Sequence, residues 1–115
     1  MATVEDFKET CMGIIQGLIN RLYDLKASME KSINHSLEKR AEIEKTFDDA
    51  TIRNHLLSLV DSAIKSNTVV RDRAQDSIIK ILEKQNKMVN QVELMEVNRT
   101  MDEIFDVVHE CAKPQ

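Results

Sequence analysis

Three histidines and two cysteines are the residues of this 115-residue chain best suited to metal binding or nucleophilic chemistry. His109 follows Asp106 by three positions, which is the carboxylate-x-x-His spacing of di-iron helical bundles. Such a site needs the motif twice, together with two more inward-facing carboxylates, and the sequence has no second copy. No two histidines are four residues apart, so no pair shares a helical face as zinc ligands do. We therefore expect no metal ion and no other cofactor.

Nucleophilic catalysis has equally little support in the sequence. Cys11 lies in an apolar helical stripe, where a cysteine usually acts as a small hydrophobic residue. Cys111 is two residues from His109, and residues two apart on a helix face different sides. The sequence also has no phosphate-binding loop and no nucleophile elbow. These patterns indicate a protein that is not an enzyme and has no small-molecule substrate.

The elements that position these residues are predicted to be helices throughout. Two glycines and one proline cannot supply the turns that β-sheet folds need at intervals of roughly ten residues. The chain is 42% hydrophobic but has only three phenylalanines and one tyrosine, so its core must consist mainly of aliphatic residues and methionine. Such side chains suit the packing of helix against helix. We predict one all-α domain spanning residues 1–115.

Helix boundaries and apolar faces follow from local signals. Thr3 and Asp6 have the spacing of a capping box, which predicts the start of the first helix. Apolar residues then recur at helical spacing over residues 7–29, in a stripe wide enough to contact two neighbours. A second apolar seam runs through residues 52–95, and a last helix is predicted to end near Ala112.

Two architectures fit these elements. In the first, breaks at residues 34–36 and 66–68 give an elongated up-down bundle of three or four long helices with coiled-coil-like packing. In the second, a turn at Phe47-Asp48 joins two long helices into a hairpin that dimerises, because an extended hairpin exposes its seam until it is paired. The sequence slightly favours the first.

Charge excludes several classes of partner. The chain carries 16 basic and 20 acidic residues, a net charge of −4, and they are mixed along most of its length. Nucleic-acid-binding modules normally show a basic face, so we expect no nucleic-acid partner. The first residues lack the features of a signal peptide, and no apolar stretch has the length of a bilayer span. We expect a cytoplasmic or nuclear protein that is not secreted.

Three groups of residues are candidates for partner binding. Gly13 and Gly17 mark either a neutral surface position or a groove that lets another helix approach closely. Methionines adapt to partner surfaces, and three of them lie close together late in the chain: Met88, Met95 and Met101. Four acidic residues of the last helix form either a solvated face or a patch for a basic partner segment: Asp102, Glu103, Asp106 and Glu110.

The favoured function is a helical adaptor or structural subunit that packs against a partner helix or a second copy of itself. An alternative is a peripheral protein that lies on a membrane surface through an amphipathic helix. That function calls for basic residues beside the apolar stripe and for bulky aromatics. The first helix instead mixes acidic and basic residues and contains no tryptophan, so membrane binding is the weaker expectation.

A second alternative comes from a family resemblance. The segment Leu56-Leu57-Ser58-Leu59-Val60-Asp61, with Val70-Arg71 and residues 76–84, resembles the last two helices of the BAG domain family. The resemblance covers about a quarter of the chain and requires a gap. It implies a co-chaperone that binds a chaperone's ATPase domain through a basic cluster and a glutamine on its final helix. Here Ala74 and Ile81-Leu82 stand in that region, so the functional residues of the family are not matched.

Overall fold

A computed structural model describes residues 2–114, which form three α-helices and no β-strand. The helices are α1 (Val4–Thr46), α2 (Ala50–Val89) and α3 (Leu94–Ala112). The predicted all-α class is therefore confirmed. The last helix ends at the predicted residue, just before Pro114.

Side chains of three residues fix the starts of α1 and α2. The Thr3 backbone N–H donates to the Asp6 carboxylate at 2.8 Å, and the Asp6 N–H donates to the Thr3 hydroxyl at 3.2 Å. This reciprocal pair is the predicted capping box. At α2, Asp49 Oδ1 accepts from the backbone N–H groups of Thr51 (2.9 Å) and Ile52 (3.1 Å). Asp49 is thus the N-cap that follows the turn at residues 47–49.

The preferred break positions at residues 34–36 and 66–68 are wrong, because both segments lie inside long helices. The chain turns at residues 47–49 instead, as in the second predicted architecture. Polar residues such as serine and threonine stop a helix only where they cap it. Within α2 the Thr68 hydroxyl donates to the Ile64 carbonyl four residues earlier, at 2.7 Å, so it is satisfied without a break.

The chain divides into two compact units. One, which we call the three-helix unit, comprises residues 2–24 and 73–114 of the described chain. The other, the hairpin, comprises residues 25–72. Because α1 and α2 are continuous, each of them contributes one part to each unit.

The three-helix unit has a continuous aliphatic core. Each helix contributes buried residues at helical spacing: Cys11, Ile15, Ile19 and Leu22 from α1, Ala74, Ile78, Ile81 and Met88 from α2, and Val97, Met101 and Ile104 from α3. Burial raises the pKa of the Cys11 thiol, which keeps it protonated in this apolar setting. Cys11 is therefore a core residue, as predicted.

The hairpin is thinner, because it consists of two helices that face each other. Ile33 is the one buried hydrophobic residue among residues 25–72, all of which the structure describes. Leu57, Val60 and Ile64 are half-buried along the seam. Arg40 links the two helices through an ion pair with Asp61 at 3.0 Å, and this hydrogen bond raises the Arg40 pKa. The seam thus holds the hairpin closed and leaves both of its outer sides uncovered.

Candidate interaction surfaces

One side of α2 in the hairpin carries a stripe of five apolar residues and one serine that no other described residue covers fully. Its members recur at steps of four and three residues, and we call them the outer stripe: Ile52, Leu56, Leu59, Ala63, Ser66 and Val70. Steps of this kind place side chains on one helical face. Leu56 and Val70 are half-buried, whereas Ile52 is 50% and Leu59 57% exposed. The sequence placed Ile52 and Leu59 in a packed seam, and here they lie on the surface.

Charged residues are sparse along this part of α2. Between residues 50 and 70 the only charged side chains are Arg53, Asp61 and Lys65, although 31% of the whole chain is charged. Asp61 is bonded to Arg40 of α1. Depletion of charge is typical of the core of a protein–protein interface, whereas a solvated helix face is rich in charge.

The hairpin as a whole is electrically balanced. Residues 25–72 contain eight basic and eight acidic side chains, so their net charge is zero. The remaining residues contain eight basic and twelve acidic side chains and account for the full net charge of −4. The hairpin therefore has no net charge that would repel a copy of itself or attract a charged surface.

A second surface lies at the connection between α2 and α3, where polar side chains are buried and apolar side chains are exposed. Lys8 is buried, and its Nζ donates to the backbone carbonyls of Val89 (3.0 Å) and Gln91 (2.8 Å). Beneath the same turn the buried Thr100 hydroxyl donates to the buried Gln91 side chain at 3.0 Å. The ammonium thus satisfies carbonyls at the C-terminus of α2, where the helix dipole favours a positive charge.

Apolar side chains point outward from this anchored connection. Val92 is 69% and Met95 77% exposed, and Val89 and Leu94 are also on the surface. We call these four residues the apolar turn. Three polar residues are buried beneath the turn, and four apolar residues are displayed above it. The connection is therefore tied to the fold by hydrogen bonds while it presents apolar groups to solvent.

The three methionines predicted to bind a partner occupy different environments. Met88 and Met101 are buried in the core of the three-helix unit, where they fill space between the helices. Met95 lies on the surface in the apolar turn. Residues that are close in sequence can still differ in burial, because their positions around a helix or in a turn decide whether they face the core or solvent.

Ion pairs with lysines involve two of the four predicted acidic residues. Glu103 pairs with Lys84 of α2 at 3.0 Å, and that hydrogen bond lowers the Glu103 pKa. Glu110 pairs with Lys113 at 2.7 Å, which lowers the Glu110 pKa in the same way. Asp102 and Asp106 are exposed on α3. Pairing by Lys84 and Lys113 therefore reduces the local negative charge on this face of α3.

Gly13 and Gly17 both lie on the exposed side of α1. A Cβ atom built at either position meets nothing within 4 Å, so no helix of the described chain uses the space that the glycines leave. The sequence predicted either a neutral surface position or a groove for another helix. The structure excludes a groove for another helix of the same bundle. A neutral surface position or a groove for a separate partner remains.

Replacing either glycine by alanine is expected to stabilise the protein. Each of Gly13→Ala and Gly17→Ala should add about 0.5–1 kcal/mol to the free energy of unfolding, because alanine loses less backbone entropy in a helix and clashes with nothing here. Urea denaturation followed by circular dichroism measures the change. A decrease in stability would show that the exposed face of α1 is more crowded than this structure has it.

Two further observations concern grouped metal-binding side chains and long apolar helices in residues 2–114. No three His, Cys, Asp or Glu side chains in this range are grouped so that they could hold a metal ion. None of its helices combines the length and the apolar character that crossing a bilayer requires.

The geometry of these surfaces is the basis for assigning a function. Comparison of the chain with protein-family models, with curated proteins and with solved structures finds no match.

Proposed function

We propose that this chain is a non-enzymatic protein–protein interaction module, a helical adaptor or structural subunit that binds its partner by helix packing along the hairpin. One observation carries the proposal. Of the twelve buried hydrophobic residues within residues 2–114, eleven belong to the three-helix unit and one to the hairpin. The hairpin instead has Leu37, Ile52 and Leu59 on its surface.

In this proposal the three-helix unit provides stability and the hairpin provides the binding surface. The three-helix unit has its own core. A domain ordinarily needs at least two packed layers around a core. The hairpin has only the seam between its two helices. A third helix laid along the hairpin would supply the missing layer. Covering a side chain such as Leu59 contributes on the order of 1 kcal/mol, so burying several residues of the stripe is the main favourable contribution to binding.

The two alternative functions find less support in these surfaces. The basic residues of the hairpin are matched in number by acidic ones, so it offers no attraction to an anionic membrane. In the region that resembles the BAG domain family, Ala74 and Ile81 are buried within the three-helix unit. Their face of α2 is therefore packed inside the fold and has no surface to offer a chaperone.

Affinity purification with matched variants tests the proposal. A tagged chain is expressed in its native cells, cross-linked and purified, and the recovered proteins are quantified by mass spectrometry. We expect one or more proteins, the chain's own untagged copy included, to be recovered with the wild type and at least about tenfold less with Ile52→Asp, because a carboxylate in an apolar interface is costly to desolvate.

The control for this experiment is Ile79→Asp. Ile79 lies on the same helix and is 46% exposed, against 50% for Ile52, so the two substitutions change charge and surface equally. Recovery should be unaffected by Ile79→Asp. If both variants retained every protein that the wild type recovers, the hairpin would not be the binding surface and the proposal would fail.

A further inference from the structure

We infer that the partner of the hairpin is a second copy of this chain, paired antiparallel along the outer stripe of α2. The inference rests on the proposed function and names the occupant of its surface. It follows from the order of large and small residues in the stripe, from the charges beside it and from its length.

The order of residues in the outer stripe is complementary to its own reverse. When two copies of α2 run antiparallel about the position of Asp61, Leu59 lies opposite Ala63 and Leu56 opposite Ser66. At the ends of the stripe Ile52 lies opposite Val70. Each layer thus combines a larger side chain with a smaller one, which is the arrangement that fills space evenly between helices.

A parallel pairing of the same stripe packs less well. It places Leu59 opposite Leu59 and Ser66 opposite Ser66, so one layer is crowded and another is nearly empty. The antiparallel arrangement also sets the two helix dipoles in opposite directions, which is favourable where helices pack side by side.

Charges do not oppose the antiparallel pairing. In this register Arg53 and Lys65 lie opposite the uncharged Val69 and Leu57. Asp61 is level with the centre of the pairing but lies on the opposite face of α2 from the stripe, where its carboxylate is bonded to Arg40 of α1. The side of α2 beyond the stripe carries the uncharged residues Thr51, His55, Ser58 and Ser62, with Lys65 as its one charged residue. Arg71 lies near Arg53 of the other copy in this register, but it is paired with Asp72 at 3.1 Å, and each hairpin is neutral as a whole.

The length of the stripe sets the expected strength of the contact. Nineteen residues, 52–70, span about 28 Å of helix. Such a contact lies near the lower end of stable interfaces, which bury about 1,200 Å² or more in total. We therefore expect a reversible dimer with a Kd of roughly micromolar magnitude.

Sedimentation velocity of the purified full chain tests the self-pairing. Between about 1 and 300 µM the wild type should shift from the mass of one chain to that of two, as mass action requires. Leu59→Asp and Ile52→Asp should weaken association at least about tenfold, because each buries a carboxylate in the dimer. Ile79→Asp should associate like the wild type. Both target side chains are half or more exposed, so circular dichroism should show unchanged helicity in every variant.

Disulfide cross-linking tests the direction of pairing. Leu59→Cys and Ala63→Cys chains of different length are mixed under mild oxidation, with Cys111→Ser in both and the buried Cys11 left in place. Antiparallel pairing predicts cross-linked heterodimers in excess over homodimers, because Leu59 lies opposite Ala63 of the other copy. An excess of Leu59→Cys homodimers would indicate parallel pairing and overturn the inference.

The outcomes also separate this inference from the proposed function. A wild-type chain that remains monomeric at every concentration, but still recovers a different protein through Ile52, overturns the self-pairing and leaves the proposed function standing. A monomer that recovers nothing through this surface overturns both. Concentration-dependent dimers that Ile52→Asp dissociates and Ile79→Asp leaves intact support both.

Discussion

Ile81→Asp is expected to unfold the three-helix unit. Ile81 is completely buried in α2 and belongs to a core to which all three helices contribute. An unpaired carboxylate at that position costs several kcal/mol, and a domain of this size is stable by about 5–15 kcal/mol in total. We expect the loss of most helical circular dichroism, or a melting transition lowered by more than about 20 °C.

Leu59→Asp is the informative comparison for this variant. Helical periodicity assigns Leu59 and Ile81 to the same seam, yet Leu59 is 57% exposed. The purified Leu59→Asp monomer should therefore retain its helicity, and its melting temperature at high dilution should match that of the wild type within a few degrees. If Ile81→Asp remained fully helical with a cooperative transition, the core described here would be wrong. If Leu59→Asp unfolded at high dilution, the outer stripe would belong to that core.

Sequence periodicity predicted which apolar residues share one face of each helix. It did not predict which of them another helix covers. The stripe of α2 continues from Ile52 to Met88, and along it Ile52 is exposed while Met88 is buried. Coverage depends on where each helix begins and ends, which the apolar pattern does not fix. The candidate surface on the hairpin was therefore not recognisable until the positions of both turns were known.

The position of the first turn shows a similar limit. Both candidate breaks inside the helices contain serine or asparagine, which are helix caps in one setting and tolerated interior residues in another. Asp49 differs because its carboxylate accepts two backbone N–H groups at once. Capping residues are present in the sequence at all three candidate turns. The turn forms where capping stabilises the chain more than continuing the helix would.

Lys8 was not predicted to have a structural role, because its partners are more than 80 residues away in sequence. Periodicity alone describes it as a charged residue within the apolar stripe of α1. The signal that identifies it is its angular position between Ile15 and Ile19, on the side of the helix that is buried. A lysine there requires acceptors, and the C-terminus of a helix provides them.

Lys8→Met is expected to destabilise the protein by about 1–3 kcal/mol. Methionine preserves most of the apolar stem but leaves the carbonyls of Val89 and Gln91 without their donor in a buried setting. The favourable interaction of the ammonium with the C-terminal end of α2 is lost as well. Urea denaturation measures the change in the free energy of unfolding. Hydrogen exchange should show faster exchange of the Asn90 and Gln91 amides, which donate to carbonyls in the last turn of α2.

The control for Lys8→Met is Lys31→Met, which makes the same substitution at an exposed position of α1 and should change stability by less than about 0.5 kcal/mol. A Lys8→Met protein as stable as this control, with unchanged exchange at Asn90 and Gln91, would show that the buried ammonium does not hold the turn. If the expected loss is found, Lys8 keeps the apolar turn in one conformation. Met95 and Val92 then stay exposed because the backbone between the helices is fixed from below, so burying a charged residue gives the protein a rigid apolar surface.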